Sequence, residues 1–357
     1  MDHSDDHDGE VPFGGGRERP TLKTIAFITG LGVTTVSRAL KDAPDIGEAT
    51  KARVRMIAKQ IGYRPNRAGV RLRTGKTNVI SLIISVETEV LGLTSSIVSG
   101  ISEHLSGTPY HLIVTPYRVS ADPLDPVRYI VETGSADGVI FSRTEPDDPR
   151  VRYLHERGFP FATHGRTDMG IEHAWFDFDN ERYAEIAVEA LAARGRTRLT
   201  LLGPSPRLTY THHTETGFRK AVERLDLVDV PLRGVTIDDP HDFIRAEVAA
   251  LMRSRRRPDG IVVSSASGAI AAIAGAEDAG LVVGRDFDMA VKESFDIMRK
   301  FRRDLIVVNE NFRSAGSGLA RAVLGLIEGR PVSELQTLEV PTGPAQPASA
   351  SVSASER

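Results

Sequence analysis

The 357 residues predict an α/β protein in two unlike parts, a short helix-turn-helix unit followed by two Rossmann-like halves, and three observations carry that reading. The length suits two to three domains at roughly 150 residues each. Charge is split along the chain: between Pro20 and Lys76 twelve cations face three anions, a local net of +9 that leaves −12 for the rest of a chain whose overall charge is −3. From Asn78 onward short apolar runs alternate with amphipathic helical patterns, the signature of parallel sheets covered by helices on both faces.

The elements follow in order. Residues 1–19 hold Asp, His and Gly with almost nothing to bury and read as a disordered acidic tail. Leu22, Ile25, Ala26 and Thr29 then fall at helical spacing, and Gly30 supplies the residue that tolerates a left-handed helix end. After Leu31 and Gly32 a second helix puts Val36, Ala39 and Leu40 inward and leaves Thr34, Thr35, Ser37 and Arg38 outward. Pro44 breaks the chain, and Glu48 to Ile61 forms a third helix with Val54, Ile57, Ala58 and Ile61 on one stripe. Three helices in about 45 residues make a helix-turn-helix unit over residues 20–65. Residues 66–76 are too basic and too rich in Gly to be core, and read as a hinge helix that forms only conditionally. Ten strands are expected, at 78–86, 110–115, 137–142, 159–164, 173–178, 198–203, 231–237, 259–264, 287–292 and 304–309, with helices such as 95–106, 182–194, 216–225, 243–254 and 269–279 among them. The body spans 77–342 as two halves in sequence, and the Pro/Ala/Ser-rich residues 343–357 read as a second disordered tail.

Composition excludes several chemistries. With 40% hydrophobic, 26% charged and 6% aromatic residues the chain is an ordinary globular one. With no cysteine there is no disulfide framework, thiolate metal site or cysteine nucleophile. Met1 to Glu10 lacks an apolar stretch, and no run of about 18 apolar residues occurs, so the expected location is cytoplasmic. The phosphate loop GxxxxGK[ST], an early GxGxxG, HExxH and GxSxG are all absent, and the Gly-x-Gly at Gly316 and Gly318 sits in a helical pattern that helix packing explains. Neither a cofactor nor a metal is expected, and the chain is not read as an enzyme.

The run LKTIAFITGLGVTTVSRAL (22–40), then IGEATKARV (46–54) and IGYRPNRAGVRL (61–72), resembles without gaps the headpiece and hinge of the LacI/GalR family of bacterial transcription regulators. ADGVIF (136–141), FPFATHGR (159–166), FDFDN (176–180), RRPDGIVV (256–263), EDAGLVVGRDFD (277–288) and VVNENFRSAGSGLARAVLGLIEG (307–329) follow in family order. The resemblance covers roughly residues 20–342 and implies a periplasmic-binding-protein-like pair of subdomains with a small effector, usually a sugar, in the cleft between them. It also implies a homodimeric regulator on a pseudo-palindromic operator in double-stranded DNA.

A helix entering the major groove needs short polar side chains and a cation near its start, which Thr34, Thr35, Ser37 and Arg38 supply. By resemblance Val33 and Thr34 occupy base-reading positions, while Thr35 and Ser37 sit where phosphate contacts are made. Arg38 suits guanine O6 and N7. In the hinge, Asn66, Arg67 and Arg71 are assigned to DNA, and the resemblance puts Leu72 where the family inserts a minor-groove wedge. Gly32 stands where the family usually has a Ser helix cap, and Gly69 disfavours the hinge helix in isolation.

Ligands in open α/β sheets bind beyond the carboxyl ends of strands. Those ends nominate Glu87, Arg143, His164, Arg166, Asp179, His213 and Ser265 as effector-binding, and Lys292 joins them from the turn at 292–295 where the sequence departs from the family pattern. Two pocket residues usual in the family are missing: Thr214 replaces an Arg and Ala266 an Asp, while Lys292, Glu293, Ser294 and Phe295 replace a GFDD-like turn. The function expected is a ligand-responsive repressor of carbohydrate-related genes. Its competitors are a solute-binding protein or an enzyme on a Rossmann-like fold, and a DNA-binding head on a body that only dimerises.

Overall fold

The computed structural model describes residues 20–63, 75–85, 93–118, 121–294 and 297–344. The expectations for both tails, for the hinge residues Asn66, Arg67, Gly69, Arg71 and Leu72, and for Glu87 lie outside those residues. What is described falls into two compact units that part between Thr77 and Asn78.

The small unit has three helices, α1 (Leu22–Thr29), α2 (Val33–Leu40) and α3 (Glu48–Gln60). Thr21 and Thr24 close a reciprocal capping box at the start of α1, and Gly30 ends it at φ 68°, a conformation that favours glycine. Gly32 gives α2 no side-chain cap. Ile25, Ala26, Val36, Ala39, Val54, Ile57 and Ala58 form the core, with Leu40 and Ile61 packed at its margin. Charge pairs add to the packing of the third helix: Lys51, almost fully buried, pairs with Glu48 at 2.8 Å and Asp42 at 3.1 Å, and Arg55 also reaches Asp42.

The large unit holds two sheets whose strand pairs are all parallel among the described residues. The first has the order β11-β5-β4-β3-β1-β2 and the second β10-β9-β8-β6-β7. The strands are β1 (Val79–Ser85), β2 (His111–Tyr117), β3 (Gly138–Ser142), β4 (Phe161–His164), β5 (Ala174–Phe178), β6 (Arg198–Leu202), β7 (Val228–Asp229), β8 (Gly260–Val263), β9 (Asp288–Glu293), β10 (Ile306–Asn309) and β11 (Gln336–Glu339). Central strands such as Gly260–Val263 are buried at every position, as a parallel sheet covered on both faces requires. Helices α4 (Leu93–Leu105) and α12 (Phe312–Ile327) cover one face of the first sheet, and α5 (Leu124–Thr133) and α6 (Pro149–Glu156) the other. On the second sheet α7 (Asn180–Ala193) and α8 (Thr209–Arg224) oppose α9 (His241–Arg253) and α10 (Ala266–Asp278). The short helix α11 (Met298–Phe301) follows β9.

Three expectations need correction. The halves are not consecutive in sequence: after β10 the chain returns to the first sheet, where α12 covers a face and β11 pairs with β5. The strand expected at 231–237 is instead a loop, because Pro231 and Gly234 interrupt the ladder; the pairing with β6 is made earlier, by Val228 and Asp229. Val235 and Ile237 still pack on the core, so the apolar signal was real but did not mark a strand. Helix α8 begins at Thr209 rather than Thr216, because the polar run THHTET is helical as well.

Close helix contact explains the Gly-x-Gly. A Cβ on Gly316 would overlap the Ile97 carbonyl oxygen, one on Gly100 would overlap that of Arg313, and one on Gly318 would strike the Phe176 ring. Helices α4 and α12 therefore meet backbone to backbone.

Candidate functional site

On the small unit α2 leaves Val33, Thr34 and Arg38 exposed, with Thr35 and Ser37 half-buried. Arg38 Nη2 lies 2.5 Å from Asp45 Oδ1, both groups about half exposed. Reading a base edge would require that exposed pair to part, and pairs of this kind contribute only about 0–1 kcal/mol.

In the large unit a cavity of about 530 Å³ lies between the two sheets, within the size range of ligand sites. Four of the residues nominated from the sequence line it: Arg143, His164, Ser265 and Lys292. Three others do not. Arg166 is turned to Asp177, at 2.7 Å, and lies over the Trp175 ring. Asp179 caps α7 by accepting the Arg182 N–H, and His213 sits on α8 outside the lining. Thr214 is buried in α8, its hydroxyl donating to the Tyr210 carbonyl, and is not in the cavity; Ala266 is. Ser265 also caps α10, so its hydroxyl serves the helix as well.

Beyond these the wall holds Ser85, Asp177, Asn180, Tyr210, Asp238, Ser264, Glu293 and Glu310. Glu310 directly follows β10, so the strand-end rule that found Arg143 and His164 reaches it too. Asp238 was within reach of the same rule, one residue past the apolar run 231–237.

Charges in the wall are largely paired. Lys292 Nζ donates to Asn180 Oδ1 at 2.8 Å and lies 2.8 Å from Glu310 Oε2 as an ion pair out of line for a hydrogen bond. Arg143 holds Asp238 with two parallel bonds, 2.9 and 3.1 Å, across the space between the sheets. Burial opposes the Arg143 charge, but those bonds and nearby negative potential raise its pKa above the ordinary value. The Arg143 backbone is left-handed, at φ 59°, and its carbonyl accepts from Arg150 Nη2. Two neighbours reinforce the bridge: the Thr144 carbonyl accepts from both the amide and hydroxyl of Thr209, and Glu145 pairs with Arg207.

Several buried polar atoms of the wall have no hydrogen-bond partner in the protein, namely Ser85 Oγ, Ser264 Oγ and Glu293 Oε2. His164 Nε2 is 3.5 Å from Glu310 Oε1, too long for a good hydrogen bond. Burial lowers the His164 pKa, against the attraction of Glu310 and Asp177, and burial likewise lowers that of His173. Both rings are thus neutral in the folded chain near pH 7, while the unfolded chain protonates near the ordinary 6.5. Their contribution to stability is complete above about pH 6.5 and is lost as pH falls toward the lowered folded values. The denaturant midpoint should therefore fall between pH 7 and pH 5.5, and a flat profile over that interval would contradict the assignment.

Residues 21–66 match the family model described as bacterial regulatory proteins, lacI family, and residues 188–349 match that of a periplasmic binding protein-like domain. The HTH-type transcriptional regulator RafR of Escherichia coli is 36% identical over 219 residues, covering 60% of this chain and 65% of that protein, so the match spans just under two thirds of the relative's length. The HTH-type transcriptional regulator AglR of Rhizobium meliloti (strain 1021) is 29% identical over 342 residues, 91% of this chain and 94% of that one. Among solved structures, the lac repressor dimer bound to operator and the anti-inducer ONPF shares the fold, with a TM-score of 0.76 at 19% identity over 92% of this chain and 98% of that chain. No helix among the described residues is long and apolar enough to cross a membrane. A helix-turn-helix unit with an uncapped second helix, followed by two parallel sheets around a polar cavity, is thus joined to sequence similarity over nearly the whole chain: the protein carries a LacI-type helix-turn-helix domain and a periplasmic-binding-protein-like domain, and its relatives are HTH-type transcriptional regulators.

Proposed function

We propose that this chain is a cytoplasmic repressor of carbohydrate-related genes that binds a pseudo-palindromic operator as a homodimer and senses a sugar or sugar derivative in the cavity between its sheets. The observation that carries the sensing role is the wall itself. Buried Ser85 Oγ, Ser264 Oγ and Glu293 Oε2 lack partners, and a buried polar atom left bare is unfavourable by about 1–3 kcal/mol. A polyhydroxylated ligand brings hydroxyls that donate and accept, which suits such a set. The acids of the wall then hold a ligand rather than turn one over, and the chain is a sensor and not an enzyme.

DNA contact falls to Val33, Thr34, Thr35, Ser37 and Arg38 on α2, with Asn66, Arg67, Arg71 and Leu72 following in the sequence. Two copies related by a twofold axis read two half-sites, which is why the operator is expected to be pseudo-palindromic. The test is selection of genomic fragments by the purified protein at near-physiological salt, then release by a panel of sugars. Enrichment of one pseudo-palindrome, with release by one sugar, is the expected result. Retention of DNA without a shared motif, unchanged by every sugar, would reduce the small unit to an electrostatic contact. Arg38→Ala should relax specificity at a single base pair by about 1–3 kcal/mol, read by competition among operator variants.

A further inference from the structure

We propose that the edge of the second sheet facing away from the cavity is a second DNA-contacting surface, on which unpaired arginines and a lysine take the phosphate backbone of a duplex other than the one held by the helix-turn-helix unit. The surface adds to the DNA role of α2 and does not depend on the sugar.

In a parallel sheet every strand starts at the same edge. In the second sheet the cavity takes the other edge, through Ser264, Glu293 and Glu310 at the ends of β8, β9 and β10. The stretches that lead into the five strands, 194–198, 224–229, 253–259, 277–288 and 299–304, hold thirteen cations against eight anions, a net of +5 within residues 77–357, whose net is −8. Two of them are dense: RSRRR (253–257) and RKFRR (299–303) carry four cations each. They enter β8 and β10, the two neighbours of β9, so their roots lie about 10 Å apart, two strand spacings. Helix α10 ties them together: its Glu277 pairs with Arg302, and the Asp278 carbonyl accepts from Arg253 Nη2 at 2.7 Å.

The acids of this edge are mostly engaged. Asp259 accepts the N–H groups of Thr197 and Arg198, Asp288 holds Arg194 and Arg196, Asp286 pairs with Arg285 and Asp278 with Arg245. Arg255, Arg256, Lys300 and Arg303 are exposed and make no side-chain hydrogen bond or ion pair with any described residue. Such cations meet a duplex without first breaking a contact, and each phosphate they neutralise releases counterions. Two basic groups about 10 Å apart match the width of a groove, about 12 Å for the major one, with a phosphate backbone on either side. Arginine adds a planar fork that fits phosphate with two bonds. The helix-turn-helix unit already brings DNA to the chain, which raises the concentration of duplex that the body meets.

The experiment is a bridging assay with the full-length protein at about 50 mM salt. A random-sequence duplex of about three helical turns is fixed to beads, the protein is added, and retention of a second, fluorescent duplex is read. The parent should retain the second duplex. The quadruple variant Arg255→Ser, Arg256→Ser, Lys300→Ser, Arg303→Ser should retain it about tenfold less, while still binding the first and melting like the parent. A control with Arg118→Ser, Arg219→Ser, Arg233→Ser and Arg321→Ser, which removes four exposed cations elsewhere on the large unit, should bridge like the parent. If the two helix-turn-helix units of a dimer hold the two duplexes, the first variant bridges as the parent does and the proposal falls. Equal loss in both variants would reduce the effect to net charge and overturn the surface. A parent that binds the first duplex and never the second overturns it too, leaving the role of α2 intact, whereas one that binds neither overturns the DNA reading as a whole. Retention of phosphatidylserine-rich vesicles in place of the second duplex would make the edge a membrane contact instead.

Discussion

Arg150→Ala should destabilise the large unit by about 3 kcal/mol, the range expected when one partner of a buried ion pair is removed. Arg150 is 2% exposed and its partner Asp148 is fully buried. The guanidinium donates to both Asp148 oxygens, at 3.0 and 2.6 Å, and lies 4.3 Å above the centre of the Phe141 ring. Alanine would leave Asp148 with only the backbone N–H groups of Glu145 and Arg150 for its charge. The change also reaches the cavity, because Arg150 Nη2 holds the Arg143 carbonyl at 2.9 Å while Arg143 spans to Asp238. Chemical denaturation should therefore show a lower midpoint, and effector binding should weaken in the same variant. A loss below about 1 kcal/mol would mean that the site tolerates an unpaired Asp148 and that the pair is not structural. Lysine at 150 should recover only part of the loss, since a point charge does not reproduce two parallel bonds and a stacked plane.

Gly316→Ala should be the next most damaging change, at roughly 1–3 kcal/mol, despite adding a single methyl group to a helix. In an open helix the same change would be favourable by about 1 kcal/mol. The sign reverses because the new Cβ would overlap the carbonyl of Ile97, a backbone atom that moves only if the whole of α4 moves. Both helices also frame the cavity, α4 through Thr94 and Ile97 and α12 through Phe312. Separating them should reduce effector affinity together with stability. Thermal melting alongside Gly329→Ala, where a Cβ meets nothing but φ is 83°, distinguishes overlap from backbone strain. A parent-like melting temperature for Gly316→Ala would mean that the helices are free to move apart.

The small unit was legible almost residue by residue because its signals are local. Gly30 closes α1 and the stripe Val54, Ile57 and Ala58 is buried, both from periodicities shorter than one helix. The core strands of both sheets were legible for a related reason, since a strand buried on both faces is a plain apolar run. Strand β11 escaped notice because it is a four-residue edge with no fully buried position. The cavity was half legible. His164 and Arg143 end or follow apolar strands and are found by a positional rule, and Lys292 belongs to the stretch 292–295 that departs from the family pattern. Their partners are another matter: Asp238 is 95 residues from Arg143, and Asn180 is 112 from Lys292. No local pattern encodes such a pairing. Arg166 and His213 fall outside the cavity lining for the same reason, for a residue's position in the chain says little about which wall it turns to.

The late return of the chain to its first sheet has a consequence for biosynthesis. The five strands β6 to β10 of the second sheet are all synthesised before α12 begins, and that sheet needs nothing further from the ribosome. The first sheet must wait. Until β11 arrives, β5 is an open edge, and until α12 arrives Phe176, Ile80 and Ile140 lie on a face without its principal cover. Nascent chains that stall in this interval display an unpaired parallel edge beside bare apolar surface, the combination that invites aggregation and chaperone capture. A chain interrupted before β11 therefore carries a finished helix-turn-helix unit on a body whose first sheet lacks its last strand.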